Sequence, residues 1–148
     1  MIDLNKVYHF SLKIPKVGDL TTEEINEVFQ DGRQASPVLE RQLVKWFPEL
    51  THIKGCKDHD HIDTQGNKYD AKNFTKRGLK FMPSKMIGVG RSFNKNEFHN
   101  KAKNLTYIVC DIVDFPQIKV VFKNGKELIK EYPNGSVSIS KRKELFND

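Results

Sequence analysis

The chain has 148 residues, a formal net charge of +6, 37% hydrophobic residues and 30% charged residues. This length predicts one domain with its own hydrophobic core, and no apolar run is long enough to predict a membrane span. The sequence contains only Cys56 and Cys110, and its N-terminus lacks a signal-peptide pattern, so we expect reduced thiols and a cytoplasmic protein.

The N-terminal part of the sequence predicts a strand followed by a short helix. Residues 8–14 alternate loosely between apolar and polar side chains, which favours a strand. Residues 21–29 predict a helix, because Thr21 and Glu24 have the spacing of a capping box, in which each side chain caps the backbone of the other residue.

A second helix is predicted after a loop at residues 31–35. Ser36 is a favourable N-cap and Pro37 suits the first helical position, so we expect the helix to begin there and to end near residue 47. Its apolar residues fall on one face, and Glu40 lies at the rim of that face.

A predicted β-hairpin follows a strand at residues 51–56. Gly66 lies in its turn, where glycine can adopt a positive φ, and short strands flank the turn. Side chains alternate along a strand, so Asp70 and Lys72 share a face. If Asp60 lies opposite Asp70, all three polar groups converge, whereas a slip of one residue separates them.

Residues 74–104 are the basic part of the chain. They carry eight Lys or Arg residues against a single acid, Glu97, which gives this segment a charge of +7 and leaves −1 for the rest. Such a block predicts a polyanionic partner, most simply nucleic acid, although a solvated lysine-rich face is the alternative. Within it, residues 81–90 predict a substrate-contacting loop and residues 94–103 a helix capped by Asn94.

The C-terminal third predicts most of the sheet. Residues 105–113 are almost continuously apolar and β-branched, which predicts a central strand covered on both faces. Further strands are predicted at residues 117–122 and 136–139, and residues 126–132 fit a strand or a short helix. The order of elements therefore predicts an α/β fold in which helices flank a central mixed β-sheet.

The hairpin has the side chains for one particular kind of chemistry. Two carboxylates held close together repel each other and need a cation, and oxygen ligands favour a hard metal such as Mg²⁺, which also binds phosphate oxygens. A lysine next to them, as Lys72 is next to Asp70, can orient or deprotonate an attacking water. These groups predict metal-assisted hydrolysis of a phosphodiester. The alternative on spacing alone is a polar hairpin with a surface ion pair.

The hairpin resembles the core of the PD-(D/E)XK nucleases, and most closely that of small type II restriction endonucleases of the PvuII kind. Those enzymes carry an aspartate, a glycine-containing turn, and then an aromatic residue, an acid, an apolar residue and a lysine. Here Asp60 matches the aspartate, and residues 69–72 (YDAK) match the run. Two positions depart from the pattern, since Asp70 replaces the commoner glutamate and His59 stands in place of a proline. Asp63 is the alternative first ligand.

The resemblance implies a Mg²⁺-dependent DNA endonuclease with a restriction-endonuclease-like fold, in which Mn²⁺ is expected to substitute for Mg²⁺. Asp60 and Asp70 are then expected to hold the metal together with the carbonyl of Ala71. Glu40 becomes the candidate auxiliary ligand, and Lys72 is expected to position or activate the water. A restriction enzyme is the first biological interpretation, and a homing or phage-encoded nuclease is the second.

The same resemblance implies double-stranded DNA as the substrate and a homodimer that uses the N-terminal helical part, about residues 1–35. The expected DNA contacts are Lys76, Arg77, Lys80, Lys85 and Arg91. The two arginines are the expected base readers, because the guanidinium fork fits guanine. The alternative from another class is a non-catalytic basic nucleic-acid-binding module in which the hairpin is merely structural.

A zinc site is a further alternative, because four possible ligands lie near the hairpin. They are His52, Cys56, His59 and His61. A structural zinc site usually needs a second spaced pair, and only His99 and Cys110 remain, at an unsuitable spacing. We therefore expect His59 and His61 to line the mouth of the candidate site or to face solvent.

Overall fold

Six strands form the main sheet in the computed structural model, which describes residues 1–55 and 58–147. The elements in chain order are β1 (Val7–Ser11), α1 (Thr22–Phe29), α2 (Gly32–Trp46), β2 (Thr51–His52), β3 (His61–Ile62), β4 (Lys68–Phe74), β5 (Leu79–Lys80), α3 (Lys95–Ala102), β6 (Thr106–Asp111), β7 (Gln117–Asn124), α4 (Gly125–Glu131), β8 (Ser136–Val137) and α5 (Arg142–Leu145), with 3₁₀ turns at Ser84–Met86 and Ile139–Lys141.

The main sheet is mixed and has the strand order β1-β7-β6-β4-β3-β2. β4 and β6 are parallel, and the connection between them contains β5 and α3, whereas the other neighbouring strands of this sheet are antiparallel. β5 pairs with β8 in a separate two-stranded ribbon. The predicted mixed sheet flanked by helices is therefore confirmed.

Helices cover both faces of this sheet and create two hydrophobic cores. On one face α2 contributes Leu39 and Leu43. On the other face α3 contributes Phe98, α4 contributes Leu128 and α5 contributes Leu145. β6 lies between the two cores and is buried almost throughout, which confirms the prediction from its apolar sequence. None of the helices in residues 1–55 and 58–147 is long and apolar enough to cross a membrane.

The start of α2 differs from the prediction, since the helix begins at Gly32 and Pro37 lies inside it. Asp31 is the N-cap, and its carboxylate accepts a hydrogen bond from the N–H two residues on at 2.9 Å. Ser36 instead donates its hydroxyl to the carbonyl of Gly32 at 2.8 Å. The side-chain amide of Asn73, on β4, donates to that carbonyl at 3.0 Å and to the Ser36 hydroxyl at 2.8 Å. Contacts between α2 and β4 therefore favour a helix that is capped by Asp31 over the predicted helix capped by Ser36.

The other helix signals are closer to what the sequence predicts. Thr21 and Glu24 form the predicted capping box of α1, with hydrogen bonds of 3.0 and 3.1 Å. Residues 126–132 are mostly helical, in α4, because the Asn124 side chain caps that helix. Gly125 follows this cap, and a Cβ at that position would collide with backbone carbonyls of the chain that precedes β6. The first residue of α4 therefore has no space for a side chain.

The N-terminal part, about residues 1–35, contains a strand of the main sheet as well as α1. β1 pairs antiparallel with β7, with Val7 opposite Val121 and Ser11 opposite Gln117. On α1, Ile25 is buried and Val28 is 46% exposed. The side of α1 that carries Val28 therefore remains accessible on the single chain.

A buried ion pair attaches α5 to the end of β6. The Asp111 side chain is fully buried, and its Oδ2 accepts a hydrogen bond from Nε of Arg142 at 2.7 Å. Nη2 of Arg142 donates to Oδ2 of Asp114 at 2.7 Å. The Asp111 Oδ1 also accepts from the N–H of Val113 at 3.0 Å. These bonds compensate for the removal of the Asp111 charge from water.

Removal of the Arg142 charge should therefore destabilise the protein. Arg142→Met leaves Asp111 buried without its cation, and we expect the free energy of unfolding to fall by about 3 kcal/mol in urea titrations. Lys143→Met, a change at the exposed neighbouring position, is the matched control and should leave the midpoint unchanged. Equal midpoints for Arg142→Met and the wild type would contradict this assignment.

Candidate active site

The hairpin of β3 and β4 has the register in which the predicted polar groups converge. His61 lies opposite Tyr69 and Ile62 lies opposite Lys68. The chain turns through Gly66, whose φ of +82° is the left-handed conformation that glycine adopts most readily. The N–H of Asp60 donates to the carbonyl of Tyr69 at 2.9 Å, so the pairing extends one residue before β3.

Asp60, Asp70 and Lys72 are brought together on one side of this hairpin. Oδ2 of Asp60 accepts a hydrogen bond from the N–H of Ala71 at 2.9 Å, which holds its carboxylate beside β4. Nζ of Lys72 lies 3.3 Å from Oδ2 of Asp70, and both side chains are less than a fifth exposed. The three groups therefore form one polar cluster with limited access to water.

This environment changes the acidity of Asp70. Burial raises the pKa of its carboxyl to about 6, and the nearby Lys72 ammonium opposes the increase. A hydrogen bond to the Asp60 carboxyl and the negative charge of that group raise the pKa further. Two partly buried carboxylates, of which only Asp70 forms an ion pair with Lys72, favour the binding of an additional cation or proton.

Asp63, the alternative first ligand, is used to close the turn. Its Oδ1 accepts hydrogen bonds from the N–H groups of Gln65 and Asn67, both at 2.9 Å. Its Oδ2 accepts from the side chains of Asn67 and Tyr69, both at 2.8 Å. Although burial acts against it, these hydrogen bonds hold the pKa of Asp63 below its usual value. The geometry therefore favours Asp60 over Asp63 as a partner of Asp70.

Glu40 lies on α2 and interacts with histidines. Its Oε2 is 3.5 Å from Nε2 of His52, and its backbone carbonyl accepts a hydrogen bond from Nε2 of His61 at 2.7 Å. Within residues 1–55 and 58–147, no group of three or more His, Cys, Asp and Glu side chains is arranged to hold a metal ion. The structure thus does not bring Glu40 into one ligand group with Asp60 and Asp70.

The prediction for His61 is wrong, because its side chain is completely buried and does not face solvent. Burial lowers the pKa of His61, and within the described residues its Nδ1 has no hydrogen-bond partner. Of the remaining residues considered for zinc, Cys56 lies outside the described residues. Cys110 is buried in β6, and His99 contacts the carbonyl of Pro133, so neither joins the hairpin histidines.

The five predicted DNA-contacting residues differ in how freely their charges are presented. Lys76 and Arg77 are exposed at the tip of the turn that follows β4, and Lys80 is exposed on β5. By contrast, the ammonium of Lys85 forms an ion pair with Glu97. Nη1 of Arg91 donates to the carbonyl of Ser84 at 2.6 Å.

Tyr107 is a neighbour of the cluster that the sequence alone did not indicate. It lies beside Asp70 across the parallel β4–β6 pair, and its ring packs edge-on against Phe81 with centroids 5.2 Å apart. Burial raises the pKa of Tyr107, and the Asp70 charge raises it further. More than thirty residues of sequence separate β4 from β6, so this proximity is apparent only from the register of the two strands.

Comparison with known proteins finds no family model, curated protein or solved structure that matches this chain.

The Asp70 titration should respond in opposite directions to its two neighbours. Lys72→Met removes the nearby positive charge and should raise the pKa of Asp70, whereas Asp60→Asn removes a negative charge and should lower it. Carbon-13 carboxyl NMR titrations measure both shifts, with Lys68→Met as a control for an exposed lysine on the same strand. A wild-type Asp70 that titrates at the ordinary value of 3.8 would contradict this account.

The same shift has a consequence for stability. Since the folded-state pKa of about 6 lies above the ordinary 3.8, the folded protein binds this proton more tightly than the unfolded chain does. Asp70 therefore contributes stability at low pH that is lost as the pH rises through about 6. Asp70→Asn should remove this dependence, so its stability relative to wild type should increase from about pH 4 to about pH 7.

Proposed function

We propose that the chain is a Mg²⁺-dependent endonuclease that hydrolyses phosphodiester bonds in double-stranded DNA, as a restriction or homing nuclease does. The convergence of Asp60, Asp70 and Lys72 on one side of the hairpin is the observation that carries this proposal. The mixed sheet flanked by helices agrees with the layout that the resemblance to PD-(D/E)XK nucleases implies.

The donor set suits a magnesium ion. Mg²⁺ commonly uses one or two carboxylates and completes its coordination with waters and substrate phosphate oxygens, so a third protein carboxylate is not required. Asp60 and Asp70 would supply the carboxylates and Ala71 its carbonyl oxygen. The raised pKa of Asp70 fits this role, because a bound cation offsets the cost of burying its charge. When bound, the ion supplies Lewis-acid stabilisation of the phosphate.

The protein groups have distinct roles in this proposal. The bond from the Ala71 N–H orients the Asp60 carboxylate and keeps it beside Asp70. Lys72 exchanges its ion pair with Asp70 for contact with the attacking water. As an ammonium it orients this water, and it can deprotonate the water only after it has released its own proton to solvent. The exposed Lys76, Arg77 and Lys80 bind phosphates or bases directly. Lys85 and Arg91 first have to exchange Glu97 and the Ser84 carbonyl for DNA.

The 3.3 Å ion pair between Asp70 and Lys72 also favours a second candidate. Such a pair can stabilise a hairpin without any metal, and the exposed basic residues would then belong to a non-catalytic nucleic-acid-binding module. Incubation of plasmid with Mg²⁺ or with EDTA separates the two candidates. Binding without metal-dependent nicking favours the module.

Substitutions in the cluster should separate metal binding from the chemical step. Lys72→Ala should lower the cleavage rate by roughly 10²- to 10⁴-fold, the usual contribution of a positioned acid–base group, and should leave DNA binding largely intact. Asp70→Ala and Asp60→Ala should abolish cleavage and weaken Mg²⁺ binding, which single-turnover assays and metal titrations measure. Lys68→Ala, on the same strand, is the matched control with an expected normal rate.

Asp63 provides the check on the ligand assignment. Asp63→Ala should be milder than Asp60→Ala, because Asp63 stabilises the turn and not the metal. An inactive Asp63→Ala beside an active Asp60→Ala would reverse the assignment while keeping the nuclease. Normal cleavage by both Lys72→Ala and Asp70→Ala would refute the catalytic role of the hairpin.

We also propose a homodimer that forms through α1, because a two-fold dimer places one site on each strand of a symmetric duplex. Val28 is exposed on α1, and its replacement by Asp should dissociate the dimer. Val89→Asp, at an exposed valine elsewhere, is the control. Sedimentation should give twice the mass of one chain for wild type and control. A single-chain mass for the wild type, both free and with DNA, would contradict the dimer.

A further inference from the structure

A groove of about 470 Å³ lies outside the carboxyl ends of the parallel strands β4 and β6. Its lining consists of Lys76, Val113, Ile139, Ser140, Arg142 and Lys143. Lys76 follows the end of β4, Val113 follows the end of β6, and the other four residues belong to the C-terminal part of the chain. Crevices at this end of parallel strands are common ligand sites in α/β folds.

Arg142 is held in a fixed orientation at this groove. Asp111 and Asp114 bind two of its nitrogens, Nε and Nη2, both at 2.7 Å. These two bonds fix the guanidinium plane and do not use the N–H groups of Nη1. The Nη1 N–H groups are therefore held in a fixed orientation in which they can bind a ligand. A fixed guanidinium binds phosphate oxygens with little loss of side-chain freedom.

Two further cations in the lining are exposed and carry uncompensated charge. Within the described residues, neither Lys76 nor Lys143 has a carboxylate within ion-pair distance. The nearby Lys141, by contrast, lies 3.5 Å from Glu144. Asp111 and Asp114 neutralise Arg142, but the charges of Lys76 and Lys143 are not neutralised by the described residues, and these two lysines favour an anionic ligand.

The groove also has an apolar wall. Val113 and Ile139 line it, and Ile139 is 43% exposed although it is a large hydrophobic side chain. Cations on one side and apolar carbon on the other match a chain of phosphates joined by sugars better than they match a bare anion.

We propose that this groove binds the phosphates of a nucleic-acid strand, as a second contact that extends the footprint of the strand beyond the catalytic cluster. This inference rests on the proposed function for the identity of the strand as DNA. Lys76 lies four positions after Lys72, which is at most roughly 13 Å at 3.3 Å per residue. Along the axis of a duplex, this distance spans roughly four phosphates of one strand at 3.4 Å per phosphate.

The salt dependence of binding tests the groove without any need for cleavage. Fluorescence anisotropy in EDTA, between about 50 and 200 mM salt, gives the slope of log affinity against log salt for a labelled duplex. The double variant Lys76→Ala/Lys143→Ala should reduce the magnitude of this slope by about 2, because each lost phosphate contact contributes about 0.9. Its unfolding midpoint should match that of the wild type, since both side chains are exposed.

The control is a double variant of exposed lysines elsewhere, Lys45→Ala on α2 with Lys130→Ala on α4. It removes the same formal charge and should leave the slope within about half a unit of wild type. Equal slopes for the groove variant, the control and the wild type would overturn the proposal.

A separate calorimetric titration with inorganic phosphate at constant ionic strength tests whether free phosphate, and not a nucleic-acid strand, is the ligand of the groove. Saturable heat that disappears in the groove variant, together with a salt slope that this variant leaves unchanged, would assign the groove to free phosphate and overturn the strand assignment.

The two proposals fail in different ways. Metal-dependent cleavage with an unchanged slope in the groove variant would leave the nuclease in place and reject the groove. A reduced slope without metal-dependent cleavage would support the groove and reject the nuclease.

Discussion

The candidate site depends on which face of the sheet each side chain of β4 occupies. Tyr69 packs into the core beneath α2, whereas Phe74 packs into the opposite core, with its ring centroid 5.8 Å from that of Phe146. These two aromatic residues, on opposite faces of one strand, determine where Asp70 and Lys72 point. A shift of one residue would exchange the faces on which these side chains lie, so that both aromatic rings would lose their packing partners and both charged groups would enter the core beneath α2, at a cost of several kcal/mol.

The positive charge that the basic surface offers to a ligand depends on how many of its lysines and arginines already contact carboxylates or carbonyls, as well as on their number. Lys85 and Arg91 count fully in the sequence, but their side chains already contact Glu97 and the Ser84 carbonyl. Arg142 likewise forms an ion pair with the buried Asp111. Lys76 and Arg77, by contrast, are exposed at the turn after β4. A count of charges in a sequence window cannot contain this information, because the neutralising partners are often distant in sequence.

Local signals predicted the parts of the fold that are decided locally. The turn at Gly66, the cap at Thr21 and the doubly buried β6 all follow from short stretches of sequence. Tertiary contacts decided the rest. Asn73 selects the start of α2, and the parallel pairing of β4 with β6 places Tyr107 beside the cluster. The burial of His61 beneath the carbonyl of Glu40 also needs the packed helix. The three members of the cluster could be named from sequence, but their surroundings could not.

The position of β1 has a consequence for the kinetics of folding. This strand is the edge partner of β7, and Val7 has to find Val121 across most of the chain. The β3–β4 hairpin, in contrast, closes only the short loop around Gly66 and can form on a microsecond timescale. Contacts between distant parts of a chain require loop closure before they stabilise anything, and they slow folding. We therefore expect the polar hairpin to form early and the pairing of β1 with β7 to be a slow step in folding.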